Sequence, residues 1–218
     1  MSQERESEVK RTSDPRWLAW GKQLQAIAQT GLAYTENAYD VERYTAIRRI
    51  ASEIMAAGFG GLNANFLTDL FSREAGYATP KVDVRAAVFD DDRLLLVLEH
   101  ADRRWTLPGG WADVGDSPSQ AAVREVKEES GFDVVARKLL AVYDRDRHGH
   151  PPIPFHAYKL FFLCDLVGGK PALSGETGGV AFFAEDAIPP LSLTRVTPDE
   201  VAHVLAHHRH PEWPTSFD

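Results

Sequence analysis

Apolar positions recur at three- and four-residue spacing over the first third of the chain and at two-residue spacing after it. Trp17, Leu18, Leu24, Ile27 and Ala28 form one stripe that closes near Gly31. Tyr44, Ile47, Ile50, Ala51 and Ile54 form a second, with Asp40 as its expected N-cap and Gly58 as its expected stop. Phe66, Leu67, Leu70 and Phe71 suggest a third, short helix. These predict a small all-helical unit over 14–76, with 76–80 as linker, behind a polar stretch 1–13 that reads as a disordered tail.

From Val82 the period changes. Val82, Val84, Ala86 and Val88 alternate, Asp90, Asp91 and Asp92 supply a turn, and 94–98 is almost continuously apolar, which predicts a β-hairpin. Apolar runs at 139–143, 158–164 and 180–183 predict further strands, with Gly168 and Gly169 marking a turn or strand end. Thr197, Pro198 and Glu200 supply the cap, first-turn proline and capping-box glutamate of a last helix.

The 218 residues, 44% of them hydrophobic and 26% charged, suffice for one large domain or one domain with a smaller companion. One cysteine, Cys164, excludes an internal disulfide and a thiolate metal cluster and fits a reducing compartment. No charged-then-apolar leader stands out, and the longest apolar runs fall far short of the ~20 residues that span a bilayer. A soluble, cytoplasmic protein is expected. A net charge of -8 argues against a broad grip on nucleic acid, although a local groove for RNA stays open. An acidic protein that handles phosphate must draw on local cations, from metal or from a few Arg and Lys.

The informative segment is GGWADVGDSPSQAAVREVKEESGF, beginning at Gly109. Ser117 is a natural N-cap, Pro118 sits at the first helical position, Gln120 can close a capping box, and Gly131 followed by Phe132 is a C-terminal stop. The predicted helix therefore runs from Pro118 to about Ser130. On it Glu125, Glu128 and Glu129 stand at i, i+3 and i+4 and share a face. Like charges so spaced cost about 0.2–0.5 kcal/mol per pair, and two of them lie in the last turn, where the helix dipole favours cations. Either the face is simply solvated, with Arg124 and Lys127 as partners, or a hard divalent cation such as Mg²⁺ offsets the repulsion. Gly109 and Gly110 after Pro108 allow a tight loop whose backbone approaches a ligand or offers a carbonyl to a metal.

With Gly110, Arg124, Glu125, Val126, Glu128, Glu129, Gly131 and Phe132 at fixed spacing, the segment resembles the Nudix box, and Asp116 stands where that box has Glu. The resemblance implies an α+β fold, a mixed β-sheet flanked by helices, over 80–218. It also implies Mg²⁺ (or Mn²⁺) held by Glu125, Glu128, Glu129 and the Gly109 carbonyl, with Arg124 orienting a carboxylate. Metal-assisted attack of water on a diphosphate is the implied chemistry. From Trp17 onward the chain further resembles a bacterial Nudix subgroup with an N-terminal helical domain that acts on X-linked nucleoside diphosphates. CDP-choline or a related CDP-alcohol is the leading substrate so implied, ADP-ribose or a nucleotide sugar the alternative, and RNA exonuclease activity or non-catalytic nucleotide sensing less favoured.

Beyond the box, Tyr143, Asp144 and Arg145, together with Phe155, are candidate substrate contacts, with Arg145 and Arg147 as possible phosphate clamps; the competing reading is a solvated loop with internal ion pairs. His148, His150 and His156 lack the spacing of a zinc site. His207, His208 and His210 read as exposed helix-end cations. Glu176, on a Gly-rich loop before a strand, is a candidate catalytic base alongside Glu125, since Gly179 occupies the place where many of these enzymes carry a second Glu. The high aromatic content of the N-terminal helices predicts a homodimer.

Overall fold

The computed structural model describes residues 14–175 and 177–218. The expected polar tail, 1–13, and Glu176 lie outside the described residues. The order of elements is α1 (Arg16–Tyr34), α2 (Ala38–Gly58), α3 (Ala64–Ser72), β1 (Lys81–Asp90), β2 (Arg93–Glu99), β3 (Trp105–Thr106), α4 (Pro118–Ser130), β4 (Phe132–Asp144), β5 (Ala157–Gly169), β6 (Thr177–Phe183), α5 (Pro198–Arg209) and β7 (Ser216–Phe217).

In the helical unit one of the two glycines expected to end a helix does not. Helix α1 continues through Gly31 to Tyr34, because Gly31 is a contact point: a Cβ there would lie 2.4 Å from the Tyr44 ring. Gly58 does end α2, and the Trp17 ring packs against it. The N-cap of α2 is Asn37, whose side chain accepts from the Tyr39 N–H at 2.9 Å; Asp40 instead pairs with Arg43 inside the first turn. Leu18, Met55, Leu67 and Phe71 form the core of this unit.

The strands form a mixed sheet ordered β3-β2-β1-β5-β4-β7, with β6 also on β2. Strands β1 and β5 run parallel, as do β4 and β7, and the remaining pairs are antiparallel. The expected hairpin is brief. Only Phe89–Leu94 and Asp90–Arg93 pair around the turn, where Asp91 takes φ 53°, and β1 then aligns with β5. Alternation decides the two faces. Val84, Ala86 and Val88 meet Ala121, Ala122 and Val126 of α4, while Ala87 and Phe161 meet Val201, Val204 and Leu205 of α5. Helix α4 is thus clamped by its apolar side, which leaves its carboxylate face turned toward the 108–111 loop.

The three helix ends carried by local chemistry form as expected. Ser117 and Gln120 make a reciprocal capping box at α4, Gly131 caps its end at φ 78°, and Thr197 with Glu200 does the same for the start of α5. Strands β4 and β5 are longer than their apolar cores. Two of the three C-terminal histidines differ from expectation: His207 is buried, with its pKa lowered chiefly by burial, and His208 stacks on Phe89 at 3.9 Å, whereas His210 is exposed at the helix end. His207, enclosed between His203 and Trp213, is not an exposed cation. Among the described residues no helix is long and apolar enough to cross a membrane.

Candidate active site

The loop 108–111 is laid along β1 by backbone bonds. Ala86 N–H donates to the Pro108 carbonyl (2.9 Å), Val84 N–H to Gly110 (2.8 Å), and Ala112 N–H to Val82 (2.9 Å). Gly109 takes φ 142°, and a Cβ there would sit 2.0 Å from the Val84 carbonyl oxygen, so only glycine allows this approach. The close approach aims the Gly109 N–H at Glu129, whose Oε2 accepts at 2.8 Å.

The three glutamates are graded in exposure. Glu129 is buried, Glu125 has 13% of its side chain exposed, and Glu128 has 59%. Arg124 binds the outer part of the group: its Nη1 donates to Glu125 Oε1 (2.9 Å) and Glu128 Oε2 (2.8 Å), and its Nε to Asp116 Oδ2 (3.0 Å). Asp113 lies 3.4 Å from the same guanidinium. These carboxylates, above all the bond to Asp116, raise the Arg124 pKa. One cation is therefore shared among four acids.

Glu129 sits on the inner side. Burial pushes its pKa up to about 7, against the pull of Arg85 and of the Gly109 N–H. Burial also raises Glu125. Arg85, buried on β1, is itself committed: its Nε donates to Asp83 (3.0 Å) and its Nη1 to the Leu107 carbonyl (3.2 Å). A carboxylate out of water beside one partly committed guanidinium is under-neutralised, and oxygen donors in this number suit a hard divalent cation. Glu125 lies against Gly110, where a Cβ would come within 3.2 Å of its carboxylate. The residues present thus fit Mg²⁺ or Mn²⁺.

Arg85 and Asp83 were missed from the sequence. Their signal was two opposite charges at alternate positions of a segment, Val82 to Phe89, that is otherwise apolar. Behind α4, Thr177 Oγ1 donates to the Glu129 carbonyl (2.8 Å), so the start of β6 fixes the last turn of the helix. Glu176, the residue before Thr177, lies outside the described residues.

The second group of candidates divides. Asp144 and Phe155 line a cavity between the helical unit and the sheet. Tyr143 is mostly buried and stacks on His148 at 3.9 Å, and burial raises its pKa. Arg145 is also buried, with Nη2 donating to the carbonyls of Pro151 and Thr194, both at 3.1 Å. In this geometry its guanidinium ties down its own loop and is not turned to a phosphate. Arg147 pairs with Asp144 at 3.4 Å, which matches the reading of internal ion pairs. His150 is enclosed, bonded to Glu200 and the buried Lys159, and so belongs to a structural clamp.

Comparison with known proteins agrees with this geometry. Residues 15–71 match the family described as UDP-X-like, N-terminal oligomerisation domain, and residues 79–205 match the NUDIX domain. YjhB of Bacillus subtilis, provisionally named an ADP-ribose pyrophosphatase, is 44% identical over 93% of this chain and 97% of its own length. A crystal structure titled UDP-X diphosphatase is 31% identical with a TM-score of 0.60, covering 93% of this chain and 98% of that one. An ADP-ribose pyrophosphatase from Streptococcus suis is 43% identical with a TM-score of 0.59 over 64% of this chain and all of that one. The chain is a Nudix enzyme, a hydrolase of the pyrophosphohydrolase type that carries a UDP-X-like helical module ahead of its Nudix domain.

Proposed function

We propose that this enzyme cleaves the diphosphate of a nucleoside diphosphate joined to a second moiety X, releasing a nucleoside monophosphate and phospho-X. The observation that carries the reading is the Gly109 N–H on Glu129 beneath the shared face of Glu125, Glu128 and Glu129. With the Gly109 carbonyl, those three side chains are assigned as holders of Mg²⁺, for which Mn²⁺ can substitute. When bound, the ion polarises a phosphoryl oxygen and lowers the pKa of water. The chain supplies the rest. The Gly109 N–H and burial fix the Glu129 carboxylate, and Arg124 holds Glu125 and Glu128 in register through the brace of Asp116. Water forms a bond to one phosphorus, the bridging P–O bond breaks, and the water proton passes to Glu125 or Glu176.

For X and the base, CDP-choline or a related CDP-alcohol is the leading assignment, drawn from the resemblance of the helical unit and the loop regions. ADP-ribose is the second reading, favoured by the names of two relatives. A panel of CDP-choline, ADP-ribose, a UDP-sugar and deoxynucleoside triphosphates, assayed with Mg²⁺ and chromatographic separation of the nucleotide products, separates them. CMP and phosphocholine as the fastest products support the first, and AMP with ribose phosphate the second. Release from triphosphates alone sinks both, and binding without hydrolysis points to a sensor.

Homodimerisation through the helical unit belongs to the same proposal. Trp20, Ile27, Tyr34 and Tyr39 are half or more exposed along α1 and α2, while Trp17 and Phe71 pack inward. The matched module is described as an oligomerisation domain. A dimer by light scattering is expected, and a monomer at micromolar concentration refutes it.

A further inference from the structure

Between α1 and the start of β1 lies a cavity of about 840 Å³, inside the range that holds small organic ligands. Gln25, which lines it, is only 6% exposed, yet neither its amide oxygen nor its amide nitrogen has a hydrogen-bond partner. A buried polar group left unpaired costs about 1–3 kcal/mol, and here two sit on one side chain. Gln25 therefore presents an adjacent donor and acceptor awaiting a complementary edge.

The neighbours narrow the chemistry. Lys22, one turn earlier on α1, is held by Asp146 at 2.6 Å and Asp14 at 2.8 Å, so its charge is already balanced. Asp146 Oδ1 is buried 4.0 Å from Arg145 Nη1 and accepts no hydrogen bond, so it can still accept one from a hydroxyl. Asp144, Asp146 and His156 bring ligating atoms within 4.8 Å of one another, but the Lys22 ammonium supplies the cation there, and a metal would leave the Gln25 amide unmet. Lys81 is paired with Glu74 at 2.8 Å and lies over the Phe155 ring, which adds an apolar wall. An unmet amide fork, a carboxylate oxygen without a hydrogen-bond donor, an aromatic wall, paired lysines, Arg147 held by Asp144 and Arg16 laid over Trp20 suit a planar heterocycle bearing hydroxyls better than a phosphate. The position fits as well. At about 3.3 Å per residue, Lys81 at the cavity is roughly 10 Å along β1 from Val84, which carries the Gly109–Gly110 turn.

We propose that this cavity receives the nucleoside end of the substrate, with Gln25 of α1 reading the edge of the base and Asp146 accepting a ribose hydroxyl. The inference rests on the nucleotide reading above and makes the helical module part of the substrate site. The test is calorimetric titration of the full-length protein in EDTA with AMP, CMP, GMP and UMP separately, so that no turnover is involved. At least one is expected to bind. Gln25→Leu, which removes both unmet groups at similar volume, should weaken that monophosphate at least about tenfold while the unliganded melting temperature holds or rises. Gln25→Met serves in its place if the leucine variant does not fold. Unchanged affinity in the variant, or no binding of any monophosphate to the wild type at about 5 mM, overturns the proposal even if hydrolysis is normal. Binding lost with Gln25→Leu in a protein that hydrolyses no panel substrate would support the pocket and sink only the hydrolytic reading.

Discussion

Glu129→Gln tests the electrostatics of the site without relying on turnover. In the metal-free protein burial raises the Glu129 pKa from its ordinary 4.5 to about 7. A folded-state value above the unfolded one means a contribution that is fully present below pH 4.5 and lost as pH rises through 7. Holding the carboxylate ionised at pH 8 thus costs about 3 kcal/mol relative to acid conditions. Gln keeps the acceptor for the Gly109 N–H and removes the charge, but its amide NH₂ then faces Arg85 without an acceptor, which takes back about 1–3 kcal/mol. The variant in EDTA at pH 8 should therefore be as stable as the wild type or more so, by up to about 2 kcal/mol. At pH 5.5, where the wild-type carboxyl is protonated, the advantage should vanish or reverse. Mg²⁺ should stabilise the wild type at pH 8 far more than at pH 5.5, and the variant little at either. Urea unfolding at both pH values, with EDTA and with Mg²⁺, gives all these quantities. A variant whose stability follows the wild-type pH dependence in EDTA, and which gains as much from Mg²⁺, would refute the reasoning.

The remaining predictions concern the supports of the site. Asp116→Asn should lower kcat far less than Glu129→Gln and leave the Mg²⁺ dependence nearly unchanged, because Asp116 braces Arg124 at 3.0 Å; a tenfold higher Mg²⁺ requirement, about 1.4 kcal/mol, would make it a ligand. Gly109→Ala should abolish activity and lower the melting temperature, since its Cβ would lie 2.0 Å from the Val84 carbonyl oxygen; native-like melting and turnover would show that the turn tolerates a side chain. Under the sheet, Lys159 and the His150 bond hold the Glu200 carboxyl down at about 2, so its contribution is present above pH 4.5 and fades as pH falls toward 2. Lys159→Met, which leaves that carboxylate buried without its cation, should cost about 3–5 kcal/mol at pH 7 by urea unfolding and much less at pH 3; an equal loss at both would refute the ion-pair account.

The parts of the fold that were legible in the sequence are those set by local chemistry. Ser117, Pro118, Gln120 and Gly131 bound α4 to the residue because each satisfies a specific backbone group, and the same holds for Thr197 and Glu200 at α5. Gly31 misled because a glycine that ends a helix and one that admits a neighbouring ring look alike until Tyr44 is in place. Asn37 displaced Asp40 as cap because either side chain can serve and tertiary packing chose the longer helix. In the site, the shared face of the three glutamates follows from 3.6-residue periodicity, whereas Arg85 beside Glu129 depends on which strand lies under the Gly109 loop. Arg145 and His207 looked exposed because charge usually is; their burial is set by partners 49 residues away in one case and by the α5 core in the other. Gln25 carried no sequence signal at all, since what surrounds it, the 74–81 segment and the 144–156 loop, is distant in the chain.

The most direct test of the carboxylate face as a metal-dependent hydrolytic centre is release of nucleoside monophosphate from the preferred panel substrate, measured for the wild type and Glu129→Gln across a Mg²⁺ titration at pH 8. The account predicts no release in excess EDTA, full recovery on adding Mg²⁺, and a variant that folds normally but turns over more than about a hundredfold slower at saturating Mg²⁺. Undiminished release in EDTA, or a folded Glu129→Gln protein with near wild-type turnover, would contradict it.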